Sequence, residues 1–271
     1  MPELPEVETI ASQLRPRLLG RQIKSVWIGW ERIVDRPSAR EFCRRLLGQV
    51  FCAAQRRGKF LLFPLRRGDT LLVHLRMTGN LRLYSASVEP DRHTHAVLTL
   101  DDGGLLHYRD VRKFGRLYLV QDPGEVVGGL GPEPLAGTFH ASALGERLTK
   151  RRGCIKSLLL DQRVLAGVGN IYADEALFRA GVHPLRRGVD LGASEVASIH
   201  SALRAVLSEA IADGGSTLQD YRSARGESGH FQERLRVFRR QGERCPRCAT
   251  VLERIRVGGR STHFCRRCQP E

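Results

Sequence analysis

The 271-residue chain is long enough for two domains, and its hydrophobic fraction of 41% excludes an intrinsically disordered protein. A net charge of +15 favours a polyanionic partner, nucleic acid before an anionic membrane surface. No segment approaches the ~20 apolar residues that span a bilayer, and the acidic N-terminus is unlike a secretory signal. We therefore expect a cytoplasmic protein, associated with the nucleoid if the cell is bacterial, and independent of membranes.

An amphipathic helix is predicted over residues 4–19. Its apolar residues recur at spacings of three and four, at Leu4, Val7, Ala11, Leu14 and Leu18. Pro2 and Pro5 suit the start of a helix, where the N–H that proline lacks is not needed, and Gly20 can end it. Pro16 lies inside the pattern, so we expect it to kink or shorten the last turn.

From about residue 22 to residue 121 the pattern changes to short strands, which turn sequences such as RRGD and DDGG separate. The strand-like segments are IKSVWIGW, KFLLFPL, TLLVHLRM, LRLY, HAVLTL and GRLYLV. They predict a β-sandwich or barrel-like domain over residues 2–128. Residues 129–150 begin with GLGPEPL and are predicted to be a linker.

Helical periodicity returns after residue 150 and predicts three helices. We expect them over residues 154–167, 170–184 and 194–215. Asn170 and Ser194 are the predicted N-caps of the second and third, because short polar side chains accept hydrogen bonds from first-turn N–H groups. Gly181 and Pro184 mark the predicted exit of the second helix.

A polar loop and a cysteine-bearing tail follow the helices. The loop SARGESGHFQ covers residues 223–232 and contains two glycines. The predicted helical domain is therefore 151–232, and the tail is a separate module over residues 235–269. Together these elements predict an α+β multidomain protein.

The tail carries a metal-site pattern. Two CxxC pairs are separated by sixteen residues, at Cys245, Cys248, Cys265 and Cys268. Each pair forms a knuckle that directs two sulfurs at one ion. Iron also suits four cysteines, and two disulfides would suit an oxidising compartment, but the spacing favours one zinc ion. A closed four-thiolate site predicts a structural metal that stabilises a segment too short for its own core.

The same tail is strongly basic. Residues 234–271 contain eleven arginines and three acidic residues. A merely solvated basic module would show the same composition. We favour a phosphate-binding surface. A closed metal site is unsuited to catalysis, so the module is expected to have another function.

Six motifs follow one another in an order that resembles one known family. They are PELPEVE at 2–8, RRGKFLL at 56–62, HLRMTG at 74–79, DVRKFG at 110–115, AGVGNIYADE at 166–175 and GGRSTHFCRRCQ at 258–269. The chain resembles the bacterial formamidopyrimidine-DNA glycosylases from residue 2 to residue 269.

The resemblance implies both a fold and an activity. The implied fold is an N-terminal β-sandwich with an N-terminal helix, a helix–two-turns–helix domain and a C-terminal zinc-finger β-hairpin, with DNA in the groove between domains. The implied activity is that of a monomeric base-excision repair enzyme acting on damaged double-stranded DNA. Such an enzyme removes 8-oxoguanine opposite cytosine and formamidopyrimidines, and then nicks the abasic strand by β,δ-elimination.

The opening residues suit this chemistry. Once Met1 is removed, Pro2 carries a secondary amine, and an α-amino group titrates at ~8 whereas lysine titrates at ~10.4. Attack on C1′ would displace the base and give an iminium ion, which is the electron sink for strand elimination. Glu3 and Glu6 are one helical turn apart and can share the space beside Pro2. The resemblance implies proton handling by Glu3 and support of the Schiff base by Glu6.

Three residues near the β-domain strands are predicted to contact DNA. Lys59 begins a strand, and the resemblance implies that it contacts a phosphate beside the lesion and assists catalysis. Strand alternation places His74 on the same face as Leu72 and Arg76, which indicates a phosphate contact and not a core histidine. The resemblance places Met77 in the gap that an extruded base leaves.

Arg112 and Phe114 lie in the predicted turn DVRKFG. A base inside a duplex must be flipped out before it can react, and another group must fill the gap. Phenylalanine is a suitable wedge between base steps, and arginine can donate to the widowed cytosine. The resemblance implies these roles, with Met77 as the third member.

The remaining predicted DNA contacts come mainly from the second half of the chain. Asn170 lies at a predicted helix start, where backbone N–H groups bind anions. The resemblance places Arg260, from the zinc hairpin, against phosphate beside the lesion, where it belongs to the catalytic set. His93, Arg152 and Lys156 are further candidate contacts, and the loop at 223–232 corresponds to a family segment that closes over the flipped base.

Two other functions remain alternatives. An enzyme of the endonuclease VIII type, which prefers oxidised pyrimidines, shares the terminal proline, but its chain typically opens with PEGPE where this chain has PELPEVE. A non-enzymatic zinc-ribbon DNA-binding protein would explain the charge and the cysteines. It would give no reason for Pro2, Glu3, Glu6 and Lys59 to occur together.

Overall fold

The computed structural model of the protein describes residues 1–85 and 88–271. These residues form seven α-helices, three short 3-10 helices and eleven β-strands. None of the helices in the described ranges is long and apolar enough to span a membrane.

The chain divides into two compact units. Unit 1 contains residues 1–129 and 213–230, and unit 2 contains residues 130–212 and 231–271. Because the chain returns to unit 1 after leaving it, one segment of the predicted helical domain belongs with the N-terminal domain.

Unit 1 begins with helix α1 (Leu4–Leu18), as the periodicity predicts. Its inward side chains are fully buried, and they are Leu4, Val7, Ile10, Ala11, Leu14 and Leu18. Pro16 lies inside the last turn without ending it, since the N–H of Leu19 still bonds to the carbonyl of Arg15 at 3.2 Å. The helix therefore ends within one residue of the predicted end.

Nine strands and two short helices complete the N-terminal part of unit 1. They are β1 (Ile23–Ile28), β2 (Val34–Arg36), α2 (Ala39–Leu46), β3 (Gln55–Arg57), β4 (Phe60–Pro64), β5 (Thr70–His74), β6 (Gly79–Tyr84), β7 (Thr94–Leu100), β8 (Leu105–Asp110), β9 (Arg116–Val120) and α3 (Gly124–Val127). One sheet has the order β1-β7-β8-β6 and the other β2-β9-β5-β4-β3. Side chains of both sheets and α1 share one buried core, so unit 1 is the predicted β-sandwich.

The segment at 213–230 completes this core. Tyr221 and Ala224 are buried in the same cluster as the strand side chains. Asn80 Nδ2 donates to the carbonyl oxygen of Arg222 at 2.6 Å. A stretch that follows the third predicted helix in sequence is thus an integral part of the sandwich.

Unit 2 contains four helices and a β-hairpin. They are α4 (Ala141–Leu148), α5 (Ile155–Leu160), α6 (Asn170–Ala180), α7 (Ala193–Ala212), β10 (Glu253–Val257) and β11 (Arg260–Phe264). Helix α7 packs against both α4 and α6. Residues 129–150, predicted to be a linker, therefore contain a helix that belongs to the core of unit 2.

The helix predicted over residues 154–167 is shorter than expected. Helix α5 ends at Leu160, and Asp161 then accepts a hydrogen bond from the N–H of Arg163 at 3.0 Å. Such local side-chain bonds compete with helical hydrogen bonding, so the aspartate starts a turn. The apolar residues that follow, Val164 to Val168, are buried without being helical.

Two predicted N-caps are wrong, the first by one residue and the second by two. Gly169 caps α6, so Asn170 is its first helical residue. Helix α7 begins at Ala193, which places Ser194 inside the first turn. The predicted end of α6 is confirmed, because Gly181 adopts a left-handed conformation with φ of +73°.

Candidate catalytic and DNA-contact residues

The three N-terminal candidates lie together at the start of α1. Pro2 is buried and directly precedes Glu3, the N-cap of the helix. Glu6 Oε2 accepts a hydrogen bond from the N–H of Glu3 at 2.7 Å, which is half of a capping box. Both glutamates are buried, so two carboxyl groups and the Pro2 ring are held at one helix terminus. A terminal amine here would meet the positive end of the helix dipole, which favours its uncharged, nucleophilic form.

The other oxygen of Glu6 is held by residues that the sequence analysis missed. Oε1 accepts a hydrogen bond from the N–H of Ser216 at 2.7 Å. Gly215 has a φ of +84°, and a Cβ at this position would lie 2.7 Å from Glu6 Oε1. The carboxylate is therefore fixed by two backbone donors and by a glycine that leaves room for it. The paired glycines at 214 and 215 are the only sequence signal for this contact.

Tyr221 ties the same segment to α1. Its hydroxyl lies 3.1 Å from the carbonyl oxygen of Gly214 and 3.4 Å from that of Glu6. Burial, followed by the nearby Glu6 carboxylate, raises the pKa of the Tyr221 hydroxyl. The hydroxyl therefore stays protonated and can donate to these carbonyl groups.

Lys59 lies in a tight turn beside the strand that carries His74. Arg57 pairs with Phe60, so Gly58 and Lys59 form a two-residue hairpin turn in which Gly58 has a φ of +57°. The Lys59 side chain is largely buried. Phe60 pairs with His74 across β4 and β5, and their rings meet edge to face at 4.5 Å.

His74 is buried, which corrects the prediction that it is not a core histidine. Only 8% of the residue is exposed, because all five residues of β5 are buried whichever way they point. Burial, then the charges of Arg76 and Lys59, lowers the pKa of His74 to about 3. The neutral ring accepts from the N–H of Arg76 through Nδ1 at 3.1 Å, so its proton is on Nε2. A phosphate contact would be made by this single N–H donor.

Met77, Arg112 and Phe114 are brought together, as the predicted wedge requires. Arg112 Nη1 lies 3.2 Å from the Met77 sulfur, and its guanidinium carbon lies 4.7 Å from the centre of the Phe114 ring. Met77 is 42% exposed and Phe114 is 47% exposed. Large exposed apolar side chains at a loop tip are consistent with a surface that binds a partner.

A buried carboxylate organises this wedge. Asp110 Oδ1 accepts hydrogen bonds from the Thr78 hydroxyl and from the N–H of Arg112, the latter at 3.2 Å. Asp110 Oδ2 accepts from the N–H of Gly115 at 2.7 Å. Asp110 thus joins the turn that carries Met77 to the loop that carries Phe114. Asp110 belongs to the motif DVRKFG, but nothing in the motif predicts its contacts with Thr78 and Gly115.

His93 lies beside the same loop and is half-buried. Its carbonyl oxygen accepts a hydrogen bond from the N–H of Asp110 at 2.9 Å. Its own N–H donates to Asp91 Oδ1 at 3.0 Å, and its Nε2 accepts from Arg92 Nε at 3.1 Å. The structure therefore places this predicted contact next to the wedge.

Three of the predicted contacts in unit 2 lie at its surface. Arg152 is exposed in the turn before α5. Arg260 is exposed at the start of β11, directly after the two-glycine turn of the hairpin. Asn170 is half-buried in the first turn of α6, and its Nδ2 donates to the carbonyl of Ser261 at 2.9 Å. Asn170 and Arg260 are therefore neighbours through Ser261.

The burial of Lys156 contradicts its predicted role as a DNA contact. None of its surface is exposed, and its ammonium group pairs with Asp174 Oδ1 and donates to the carbonyl of Asn170 at 3.0 Å. The prediction failed because Lys156 and its partner are 18 positions apart in sequence. A lysine is rarely buried without such a partner.

The four tail cysteines converge as a metal site requires. All four sulfurs lie within 4.8 Å of one another, with Cys245 to Cys268 at 3.8 Å and Cys248 to Cys265 at 3.4 Å. A tetrahedron with Zn–S bonds of ~2.3 Å has sulfur–sulfur edges of about 3.8 Å. The donors therefore fit one zinc ion bound by four thiolates, with no position left for a substrate. Phe178, Val237 and Leu252 form a small apolar cluster with the cysteines.

Helix α6 binds the zinc module at its middle and near its C-terminus. Glu175 accepts three backbone N–H groups, from Arg236, Val237 and Phe238, at 2.9 to 3.0 Å. Burial raises the pKa of Glu175, although these hydrogen bonds oppose the effect. In the last turn, Arg247 donates to the carbonyl oxygen of Phe178 at 2.8 Å, where a cation suits the negative end of the helix dipole.

Comparison with known families covers nearly the whole chain. Residues 1–117 match the formamidopyrimidine-DNA glycosylase N-terminal domain, and residues 130–222 match the H2TH domain of the same enzymes. Residues 242–270 match a zinc finger found in FPG and IleRS. This match and the sulfur geometry identify the four cysteines as a zinc finger.

Full-length relatives and solved structures agree with these matches. The formamidopyrimidine-DNA glycosylase of Desulfitobacterium hafniense is 46% identical over 99% of this chain and 100% of its own length. That of Bacillus subtilis is 46% identical over 99% of this chain and 99% of its own length. A Lactococcus lactis FPG mutant in complex with a Fapy-dG containing DNA is 36% identical, with a TM-score of 0.93 over all of both chains. MutM in complex with carbocyclic 8-oxo-G containing DNA is 36% identical, with a TM-score of 0.91 over all of both chains. The chain described here belongs to the formamidopyrimidine-DNA glycosylase family.

Proposed function

We propose that this protein removes oxidised purines from duplex DNA and then cleaves the abasic strand. The substrates are 8-oxoguanine opposite cytosine and formamidopyrimidines, and the strand is cut by β,δ-elimination. The observation that carries the proposal is the position of Pro2, directly before a helix whose N-cap Glu3 and first-turn Glu6 are both buried. Relatives have been solved with DNA containing Fapy-dG, an abasic site and an 8-oxo-G analogue, which supports the same substrate class.

The reaction begins after Met1 has been removed. The imino nitrogen of Pro2 forms a bond to C1′ while the bond from C1′ to the base breaks, and the base leaves with that electron pair and acquires a proton. Opening of the sugar ring gives an iminium ion, which is cationic without an added proton because the amine is secondary. This cation accepts electrons as the two flanking phosphates are eliminated in turn.

The two glutamates have different supports and therefore different roles. Glu6 is held by the N–H groups of Glu3 and Ser216, so we assign it the fixed task of supporting the Schiff base and its hydrolysis. Glu3 handles protons during sugar opening and base loss. Its position as N-cap, next to Pro2, supports this role.

The DNA is held through phosphate contacts from both units. In unit 1 these come from Lys59, His74 and His93. In unit 2 they come from Arg152, Asn170 and Arg260, of which Arg260 acts beside the lesion. Lysine and arginine contacts of this kind release counterions, so binding should weaken steeply with salt.

The wedge of Met77, Arg112 and Phe114 fills the gap that the flipped base leaves. Phe114 inserts between base steps, Met77 occupies the vacated space and Arg112 donates to the widowed cytosine. Their mutual contacts in the structure support a single device of three residues. We assign the loop at 223–232 to closure over the flipped base.

The protein acts as a monomer on the bacterial nucleoid, in the cytoplasm. Its net charge of +15 supports this location, since such a field draws a protein to nucleic acid. Intact-mass measurement on the purified protein tests the first requirement of the mechanism, because retention of Met1 would block the nucleophile.

Borohydride trapping tests the mechanism directly. The wild type is incubated with duplex DNA that carries 8-oxoguanine opposite cytosine, and borohydride reduces the Schiff base to a stable conjugate. We expect peptide mapping to locate the linkage on Pro2, and Pro2→Gly to trap poorly. Pro5→Ala is the matched control, since Pro5 lies in the first turn of α1 and should trap normally. A linkage on Lys59 or another lysine would overturn the mechanism.

A further inference from the structure

The hairpin that carries Arg260 has little support of its own. Strands β10 and β11 form a two-stranded sheet, and isolated sheets of this size are marginal in water. Its turn, Gly258–Gly259, lies against α5, because a Cβ at Gly258 would be 3.0 Å from the Ser157 hydroxyl oxygen. The position of Arg260 must therefore be set by what holds β11 to the helices.

Helix α6 holds β11 at two alternate residues. Asn170 Nδ2 donates to the carbonyl oxygen of Ser261 at 2.9 Å. One helical turn further on, Asp174 Oδ2 accepts from both the N–H and the ring Nδ1 of His263, each at 3.0 Å. Four residues of a helix span about 6 Å, and two residues of a strand span about 6.7 Å. The spacing of Asn170 and Asp174 along α6 therefore matches the spacing of Ser261 and His263 along β11. A slip of β11 by one residue would break both and turn its side chains to the opposite face.

Lys156 completes this arrangement from α5. Its ammonium group pairs with the free side of the Asp174 carboxylate and donates to the carbonyl oxygen of Asn170. Lys156, Asp174 and His263 are all buried, at 0%, 1% and 3% exposure. A buried carboxylate with a cation on one oxygen and two N–H donors on the other has one stable orientation.

We propose that Asp174 is the positioning residue for a phosphate clamp formed by Asn170 and Arg260, acting through His263 and Lys156. The inference rests on the proposed function, since it assumes that Arg260 contacts phosphate. Asp174 does not itself touch DNA. It fixes the register of β11 against α6, which places the Arg260 side chain next to the N-terminus of α6. The buried lysine thus serves DNA binding indirectly.

A double-mutant cycle on the full-length zinc-loaded protein tests this role. Affinity for a duplex carrying a tetrahydrofuran abasic-site analogue is measured across a salt series for wild type, Arg260→Ala, Asp174→Asn and the double variant. We expect Arg260→Ala to weaken binding about tenfold and to lower the salt slope by about 0.9. Asp174→Asn should produce a similar loss and a similar change in slope. The double variant should bind no more than about twofold more weakly than Arg260→Ala, because both changes remove the same contact.

Glu175→Gln is the matched control. Glu175 is also buried on α6 and also binds the tail, but it holds residues 236–238 and not β11. Its effect should add in full to that of Arg260→Ala. Full additivity of Asp174→Asn with Arg260→Ala would overturn the inference, as would equal non-additivity for Glu175→Gln.

Zinc content and the thermal midpoint are recorded for each variant. If Asp174→Asn loses zinc, His263→Phe replaces it in the cycle, since it keeps the ring that packs on Phe238 at 5.1 Å and removes one hydrogen bond to Asp174. The same non-additivity is expected, and additive losses would again overturn the inference. An Arg260→Ala variant that binds normally would refute both the phosphate contact and the clamp, whereas trapping through Pro2 would still report on the mechanism.

Discussion

The guanidinium group of Arg112 donates to the sulfur of Met77 at 3.2 Å, although 35 positions separate the two residues. Each residue projects from a different turn, and each turn is tied to the carboxylate of Asp110. A single buried side chain therefore keeps the three wedge residues together before DNA arrives. Preorganisation of this kind lowers the conformational entropy lost on binding.

Replacement of Asp110 should impair base flipping more than strand cleavage. In Asp110→Asn the amide nitrogen cannot accept a hydrogen bond, so one side of the loop loses its support. We expect single-turnover excision of 8-oxoguanine from a duplex to slow about tenfold, equivalent to ~1.4 kcal/mol. Cleavage of a preformed abasic site should slow less, because no paired base must be extruded. Asp102→Asn, in an exposed turn where Asp102 accepts from Gly104, should behave as wild type. Equal losses on both substrates would count against the wedge.

A methyl group at Gly215 should disturb catalysis through Glu6. The Cβ of Gly215→Ala would lie 2.7 Å from Glu6 Oε1, whereas that of Gly214→Ala would meet only the Gly229 backbone at 3.8 Å. Both glycines have positive φ, at +84° and +72°, so both variants carry a backbone strain of about 1 kcal/mol. We expect similar losses in thermal midpoint and a slower rate of borohydride trapping for Gly215→Ala alone. Equal trapping rates would show that the contact with Glu6 has no catalytic consequence.

His74 should make the protein less stable in mild acid. The pKa of His74 is about 3 in the folded protein, against an ordinary value of 6.5. Between pH 3 and pH 6.5 the unfolded chain therefore binds a proton at His74 that the folded protein does not bind. Stability is therefore lost as the pH falls from about 6.5 towards 3. Between pH 7 and pH 5 this effect is at most about 2 kcal/mol.

The variant His74→Phe isolates this effect, since it keeps a ring against Phe60 and removes the titration. Urea unfolding at pH 7 and pH 5 should show a smaller difference for His74→Phe than for the wild type. Parallel pH dependences in the two proteins would refute the prediction. Because the ring is already neutral at pH 7, any contribution of His74 to DNA binding should not change between pH 6 and pH 8.

Loss of one zinc ligand should abolish DNA binding. Cys245 is buried among Phe178, Val237 and Leu252, so Cys245→Ser removes both a thiolate and part of the small core that the metal holds together. We expect metal analysis to show loss of zinc and binding assays to show loss of affinity. Cys52→Ser, at an exposed cysteine of unit 1, should retain both. A zinc-free Cys245→Ser protein that binds normally would contradict a structural metal.

The sequence predicted best the features that depend on neighbouring residues. The spacing of apolar residues in α1 and the turn at Gly181 were correct because short-range backbone geometry sets them. The paired CxxC motifs identified the metal site for the same reason. Helix α5 was predicted too long because the periodicity continued after the aspartate turn at Asp161 had already ended the helix.

Features that depend on distant residues could not be predicted in the same way. Lys156 has the sequence context of a surface lysine. Only the fold shows that its ammonium group forms a buried ion pair with the carboxylate of Asp174. The donor to Glu6, Ser216, lies 210 positions away in a segment that had been assigned to another domain. No local sequence pattern predicts Asp174 as the partner of Lys156 or Ser216 as the donor to Glu6, because both contacts form only in the folded protein.

The return of residues 213–230 to unit 1 has a consequence for synthesis on the ribosome. The first 129 residues carry Pro2 and both glutamates, yet the backbone donor that holds Glu6 is Ser216. The stretch at 130–212, which belongs to unit 2, must therefore leave the ribosome before the N-terminal sandwich is whole. A nascent chain carries Pro2 from the start, but the Glu6 carboxylate is anchored only when translation is well past the midpoint.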